Sequence, residues 1–436
     1  MVTATENIIF LFLFTIAYYI ITLFYFYHER ENIISIKTLF VAIFSAMIGL
    51  SPLFYYIHKH TLILNTGNDI NYQFPIILVG YIIMVAVLCI NFKSKDKEKE
   101  ENKEEQNQIS KQKRVNYNFY FSIVLLIISF ATNLFFIIVN RNLFFGGSLE
   151  SGRMEAIASN GIIMVLSSFN YLGLGLLYEV TLQTNKWKKL FYFFLVANII
   201  FYIIRGSRTN IVYFLLIMLL IRNHYKKIKI KSIVIIFIIL LAGLSILQVL
   251  RTYMSGEQTN FIGNIYGILE VGSINLNYIV MNFPDKINFQ YGYTFLINIL
   301  MLLPGPDLDF TLWLKQALGM DFAGGGVTPT IIGEGYINFG YIGIIVTMLV
   351  VGLIGTTLDK RYSNQNKDCV WASYLSVLFF GIFKNGFSTI EVSILIYIFL
   401  YIAYKIVLML LTKYTNRSIN NGEKINENTN NKDLSV

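Results

Sequence analysis

The sequence predicts an all-α integral membrane protein with about eleven transmembrane helices, its amino terminus outside and its carboxy terminus inside. Three observations point there. Hydrophobic residues make up 55% of the 436 positions and charged residues only 14%, which is not the balance of a soluble globular domain. Uninterrupted apolar runs recur along the chain, many near the roughly 20 residues a helix needs to cross a bilayer core. Lysine and arginine gather in short loops that fall on one side when the runs alternate.

In order, the expected spans lie near 8–27, 36–57, 73–92, 118–138, 161–182, 190–204, 210–223, 232–250, 336–357, 369–386 and 389–412. The first run lacks a basic leader and a small-residue cleavage site, so it reads as a retained helix rather than a signal peptide. Residues 93–116 form a charged, low-complexity linker, solvated on the cytoplasmic side. Further basic clusters occur at 186–189, 226–231 and 359–361 and in the tail from Lys413. The chain therefore reads as a single transmembrane domain, 1–412, followed by a disordered cytoplasmic tail, 413–436. The net charge of +9 belongs to these loops, where it sets topology and meets anionic lipid headgroups of the bilayer. No basic face interleaved with aromatics exists outside them, which excludes nucleic acid as a partner. Cys89 and Cys369 lie in or beside apolar helices and the four histidines are scattered, so neither a disulfide framework nor a metal site is expected.

One connection is too long for a turn. Residues 251–330 are rich in Ile, Leu, Phe and Tyr, which argues against disorder and for a long, partly helical outer loop. Apolar positions 261, 265, 268, 269, 276, 279, 280 and 283 follow a helical stripe, as expected for a helix lying at the membrane interface. The apolar piece 295–303, stopped by Pro-Gly-Pro, suits a re-entrant or surface helix. Two short true spans here are the competing reading, giving about thirteen crossings.

The stretch FYIIRGSRTNIVYF, 201–214, puts two permanent cations between short apolar legs. At 1.5 Å per residue each leg is nearer roughly 20 Å than 30 Å, so residues 205–210 are a shallow hairpin at the outer hydrocarbon boundary. An arginine at the centre of a bilayer helix costs about 2.5–3.5 kcal/mol on insertion scales and faces a cavity or partner; snorkelling to headgroups is the plain alternative. Arg205 suits either reading. Arg208, with Thr209 and Asn210 placed to cap the next helix, is the stronger functional candidate. A guanidinium fork matches phosphate oxygens and never deprotonates, and the phosphates available on the outer face belong to phospholipids and polyprenyl-pyrophosphate carriers. Arg141, Arg153 and Arg251 lie in outer loops and are further candidates for such a contact.

A second informative stretch is FAGGGVTPTIIGEGYINFGYIGII, 322–345. It lacks the Gly-Lys-Ser/Thr ending of a nucleotide-binding loop. Its glycines and Pro329 specify an irregular backbone approaching the outer mouth of the next span, where Gly325, Gly326, Thr328, Pro329 and Tyr336 would line a substrate cavity. Glu334, in the first turn of that span, would serve as general base or as a positioning carboxylate; helix-dipole stabilisation or a salt bridge to an outer arginine are the plainer roles. Asp307 and Asp309 are further candidates with ordinary turn roles as the alternative, and Lys384 and Glu391 would pair with each other across the last outer turn.

These features together resemble the Wzy-type oligosaccharide repeat-unit polymerases. They are Ser207-Arg208 opening a short helix after an outward turn, the long outer loop, and Gly-Gly-Gly…Pro-Thr-x-x-Gly-Glu-Gly-Tyr…Phe-Gly-Tyr-x-Gly. The family belongs with the O-antigen ligases in the membrane-embedded GT-C class of glycosyltransferases. The resemblance implies that Arg208 holds the pyrophosphate of an undecaprenyl-pyrophosphate-linked oligosaccharide and that Gly325–Gly340 lines the same cavity. Arg205 matches nothing clearly, and Arg141…Gly152 fits a loose Arg-x10-Gly pattern of some members. Ligases use an outer-loop histidine, and the long loop has none; that favours polymerase and leaves the base unidentified. The implied reaction builds a surface polysaccharide, O-antigen or capsule, at the outer face of a bacterial cytoplasmic membrane. It uses no cofactor and no metal, and its partners would be a flippase and a chain-length regulator. A lipid-linked oligosaccharide flippase, a ligase and an acyltransferase are the alternatives.

Reporter fusions test this threading. A reporter active only outside the membrane should be silent when joined after Lys413 and active when joined after Met320; activity at the tail would overturn the orientation.

Overall fold

A computed structural model describes residues 4–29, 35–62, 73–90, 104–142, 161–205, 207–229, 261–300, 309–320, 325–363 and 369–430, with scattered positions between 231 and 249. Among the described residues all regular structure is helical: α1 (Ala4–His28), α2 (Ile36–Phe44), α3 (Ser51–Leu62), α4 (Gln73–Leu88), α5 (Glu104–Val139), α6 (Gly161–Ser167), α7 (Phe169–Thr184), α8 (Lys188–Ile204), α9 (Arg208–Tyr225), α10 (Phe261–Asn282), α11 (Phe310–Ala317), α12 (Thr330–Ser363), α13 (Cys369–Phe380) and α14 (Glu391–Asn430). Among the described residues six helical stretches are long and apolar enough to cross a bilayer, and Gln73–Leu88 and Cys369–Asn385 are apolar but shorter. The all-helical, polytopic architecture stands; the count of eleven does not follow from helix length. The run at 232–250 falls largely outside the described residues.

Helix bounds reach into two charged segments. α5 starts at Glu104, inside the linker, and α14 continues to Asn430, through most of the tail. Glu, Gln and Lys are good helix formers, so a helix already held by its apolar half extends through them.

The bundle is organised by two close pairs, α12 along α4 and α5 along α7. Glycine sets the first: a Cβ on Gly352 would lie 2.7 Å from the Val87 Cβ, and one on Gly355 2.9 Å from Leu88. The end that carries the basic loops is locked by buried polar contacts. Asp359 accepts the Ile36 N–H at 2.8 Å, and Lys37 pairs with Glu29 at 3.7 Å. Glu179 accepts from Asn118 Nδ2 at 3.2 Å, the Tyr225 hydroxyl at 2.8 Å and the Cys369 thiol at 3.4 Å.

α10 was expected at the interface. It packs into the bundle instead, against α3, α4 and α12. The contact is close because Gly272 faces the π-turn Ser45–Gly49, where an added Cβ would come within 2.3 Å of the Met47 carbonyl. Ser273 adds a bond from its N–H to Ser51 Oγ at 2.8 Å and a side-chain pair with Gln73. The polar positions between the apolar ones are thus buried partners, not a solvated face.

The largest departure concerns the span expected at 336–357. α12 is two helices joined by a reversal at Phe339 (φ −143°, ψ 21°) and Gly340 (φ 59°, ψ −138°). The legs run antiparallel and touch: Gly335 faces Gly343 and Thr347, and a Cβ on Gly343 would sit 1.9 Å from the Gly335 carbonyl oxygen. The first leg, 330–338, is re-entrant. The second leg, 341–363, continues to the end of the bundle that carries Asp359. The first leg is enclosed, with Glu334, Ile337 and Asn338 fully buried, whereas Phe339 at the turn is exposed. The turn is capped by Gln290 and Tyr291, whose N–H groups donate to the carbonyls of Ile337 and Asn338 at 3.0 and 3.1 Å.

Gly340 occupies a backbone region that costs other residues about 1–3 kcal/mol, and a Cβ there would meet the Phe289 ring at 3.1 Å. Gly340→Ala should lower the thermal unfolding midpoint of the detergent-solubilised protein. Gly267→Ala, an exposed helical position with open space around it, should leave the midpoint unchanged or raise it.

Candidate functional site

The sequence places the hairpin at 205–210, and the structure ends α8 at Ile204 and opens α9 at Arg208. The turn is closed by the Ser207 N–H, which donates to the Tyr202 carbonyl at 2.9 Å. Arg205 does not snorkel. It is 7% exposed, with Nη1 donating to Asn133 Oδ1 at 2.7 Å and Ser167 Oγ at 3.2 Å, and Nη2 against the Met164 sulfur. The guanidinium stands 4.9 Å from the Phe136 ring centre and 5.5 Å from that of Tyr202, distances suited to cation–π attraction. Asn133 is oriented for this by its own amide, which donates to the Ser129 carbonyl at 2.8 Å. Arg205 therefore ties the hairpin to α5 and α6.

Arg208 is the first residue of α9; its side chain lies outside the described atoms. A cation at a helix amino terminus adds to the positive end of the helix dipole instead of offsetting it, and the sum favours an anion. Arg141, helical and exposed just beyond α5, shares this end of the bundle, since Phe136 one turn earlier touches Arg205. Arg153, Arg251 and Asp307 lie outside the described residues. Asp309 caps α11, its Oδ1 accepting the Thr311 N–H at 2.7 Å.

Glu334 stands in the middle of the re-entrant leg with no exposed surface (0%). Its carboxylate accepts the N–H groups of Phe387 and Ser388, the latter at 3.2 Å, and the Thr294 hydroxyl at 3.4 Å. Asn338, one turn on, donates to the Glu334 carbonyl at 2.9 Å and to Thr294 Oγ1. Gly386 makes room: its φ is 83°, and a Cβ there would lie 2.5 Å from Glu334 Oε2. The carboxylate thus joins the re-entrant leg, the 289–296 turn and the start of the last helix. It forms no salt bridge to an arginine among the described residues, and Glu391 does not pair with Lys384.

The glycine-rich approach is held in place. A Cβ on Gly326 would come within 2.3 Å of the Thr311 backbone, and the Val327 N–H donates to the Thr311 carbonyl at 2.9 Å. Asn275 Nδ2 donates to the Thr328 carbonyl at 2.8 Å. Thr330, at φ 61°, caps the leg by accepting the Gly333 N–H at 3.2 Å. Gly325, Gly326 and Thr328 stay half-buried and Pro329 is buried. Tyr336 is closed in by Phe289 and Tyr341, whereas Tyr291 and Tyr341 are open.

The arginine hairpin and the Glu334 cluster occupy the same end of the bundle. A Cβ on Gly381 would lie 2.4 Å from the Tyr213 hydroxyl, so the second turn of α9 rests against the chain just ahead of Gly386. Asn133, Ser167, Thr294, Ser388, Asn275 and Gly386 were not singled out from sequence. The only local signal among them is the polar spacing of Ser129, Asn133 and Asn140 within an apolar helix.

The architecture defines a multi-pass membrane protein in which a buried arginine hairpin and a buried glutamate on an irregular segment share one end of the bundle. The particular family follows from comparison: the family model for O-antigen polysaccharide polymerase Wzy matches residues 1–417, and the chain belongs to that family. No curated protein and no solved structure matches it.

Removing the Glu334 carboxylate leaves two buried N–H groups without an acceptor, at about 1–3 kcal/mol each. Glu334→Ala and Gly386→Ala should both lower thermal stability in detergent, and both should expose the 386–391 backbone to hydrogen exchange. Unchanged stability and exchange in both variants would remove Glu334 from the tie.

Proposed function

We propose that the protein polymerises undecaprenyl-pyrophosphate-linked oligosaccharide repeat units into a surface polysaccharide, O-antigen or capsule, at the outer face of a bacterial cytoplasmic membrane. The observation that carries this is the family match over nearly the whole chain. In the reaction a hydroxyl at the non-reducing end of one repeat unit attacks C1 of the reducing sugar of the growing chain. The bond from C1 to the pyrophosphate oxygen breaks, undecaprenyl pyrophosphate departs, and the hydroxyl proton passes to a base.

Negative charge grows on the departing phosphate, and pre-placed donors stabilise it most when they need no rearrangement. Arg208, at the start of α9, is the proposed contact. Arg141, Arg153 and Arg251 are its proposed neighbours, and no metal takes part in the chemical step. Arg205, enclosed by Asn133, Ser167 and Phe136, acts one step back by fixing the turn that presents Arg208. Glu334 has the same kind of role on the other side: fully enclosed and holding two N–H groups, it positions the Gly325–Gly340 segment that lines the cavity. Thr328 and Pro329 lie at the start of that segment, and the exposed rings of Tyr291 and Tyr341 suit sugar faces. A flippase supplying the repeat units and a chain-length regulator are the proposed partners in the same pathway.

Deletion with complementation tests the reading, with surface polysaccharide resolved by size. The null strain should carry single repeat units, and Arg208→Ala should fail to restore the ladder, in line with a loss of roughly a hundredfold or more on removing a transition-state donor. Normal ladders in Arg208→Ala would remove that arginine from the mechanism. Repeat units confined inside the cell in the null strain would mark a flippase instead.

A further inference from the structure

At the end of the bundle opposite Glu334, two cations converge on one tyrosine. Arg361, in the last turn of α12, donates from Nη2 to the Tyr401 hydroxyl at 2.7 Å. Its guanidinium carbon stands 5.1 Å from the centre of the same ring. Lys405, one turn beyond Tyr401 on α14, brings Nζ to 5.2 Å from that ring and 5.9 Å from the ring of Tyr404. The rings are backed by Trp371 of α13, which is buried and meets Tyr401 at 5.1 Å and Tyr404 at 5.2 Å. Tyr397 stacks on Tyr401 at 6.0 Å.

A tyrosine ring attracts each cation but cancels neither charge. Arg361 forms no ion pair among the described residues. The carboxylates of this end are engaged elsewhere, Asp359 with the Ile36 N–H and Glu179 with Asn118, Tyr225 and Cys369. Because Tyr401 accepts from Arg361, its own proton is left to donate. Two positive charges and a hydroxyl thus stand together, with Arg361 and Tyr401 half-buried and Lys405 exposed. Phosphate oxygens suit such a set. The neighbouring surface decides which phosphate. α12 and α14 both rest on α13, and toward the middle of the bundle both turn apolar. Leu353, two turns before Arg361, and Ile398, one turn before Tyr401, are exposed. A soluble anion gains nothing from these neighbours, whereas an acyl chain does. Basic pockets between membrane helices take anionic headgroups in this way. Simple snorkelling would leave the side chains loose, but Arg361 is tied to Tyr401.

We propose that Arg361, Tyr401 and Lys405 bind the phosphate of an anionic phospholipid whose acyl chains lie along α12 and α14. The lipid is structural. It neutralises the two cations and clamps the end of α12 to α14. The site is independent of the polymerase reading, since it lies at the other end of the bundle from Arg208 and Glu334.

The test uses the full-length protein, delipidated in a neutral detergent. It is titrated with phosphatidylglycerol, with phosphatidylcholine of the same acyl chains, or with sodium phosphate at matched ionic strength. Native mass spectrometry counts the lipid retained, and the thermal unfolding midpoint reads the linked stability. Saturable retention of phosphatidylglycerol and a rise in midpoint are expected, with neither effect from phosphatidylcholine or sodium phosphate at the same concentration. Arg361→Gln and Lys405→Gln should each weaken phosphatidylglycerol binding by about fivefold. Lys360→Gln removes an exposed charge next to Arg361 and should leave binding unchanged. Lys405 is exposed, so its variant tests the site even where Arg361→Gln fails to fold. Equal binding of the two lipids would overturn the proposal, as would equal protection by sodium phosphate, the mark of a simple anion site. An equal loss in Lys360→Gln and Lys405→Gln would reduce the effect to diffuse charge and overturn it too. Neither readout involves polymerisation, so a failed site and a failed functional assignment remain distinguishable.

Discussion

The carboxylate of Glu334, enclosed inside the bundle, is the contact on which the rest of this end of the molecule depends. It accepts the N–H groups that open the last helix and the hydroxyl of Thr294, and so binds three segments that come from distant parts of the chain. A carboxyl group in such a place is tolerated only when hydrogen bonds replace the water it has lost. The surrounding features serve that replacement. Gly386 leaves space for the carboxylate, Asn338 holds Thr294 in place, and the reversal at Gly340 lets the leg carrying Glu334 turn back against the span that follows.

The same logic governs the arginine hairpin. Arg205 is buried among Asn133, Ser167, Met164 and two aromatic rings, so its charge is spread over fixed dipoles and π-faces. Two arginines three residues apart thus take different parts: one is consumed in holding the turn, the other opens the helix that the turn presents. Rigid placement is what an electrostatic site requires, because donors that are already oriented stabilise developing charge without reorganisation.

Both anchors occupy one end of the bundle, opposite the end locked by Asp359, Lys37 and Glu179. The satisfied carboxylates of that second end hold its helices together, which leaves the first free to carry irregular backbone. A polymerase acting on lipid-carried substrates needs such a division. One end of the bundle is tied by satisfied carboxylates, and the other keeps its polar groups by enclosing them.

Apolar run length made the membrane class and the helical architecture legible in the sequence, and the crowding of two arginines between short legs made the 205–210 hairpin legible to within a residue or two. These are local properties: hydrophobic length and charge act on a segment whatever its neighbours are. The family resemblance was legible too, because its motifs are contiguous. What only the tertiary structure decided was the meaning of the buried polar groups. Asn133 and Arg205 are 72 positions apart and Glu334 and Ser388 54, and no local pattern announces such pairs. The glycines of 333–343 read equally well as close helix packing or as a reversal. Gly340 adopts the reversal because Gln290, Tyr291 and Phe289 arrive from another part of the chain to cap the turn and fill its hollow. Long-range partners fix which of two locally allowed backbones is enclosed, and that is a property of the packed bundle rather than of the stretch itself.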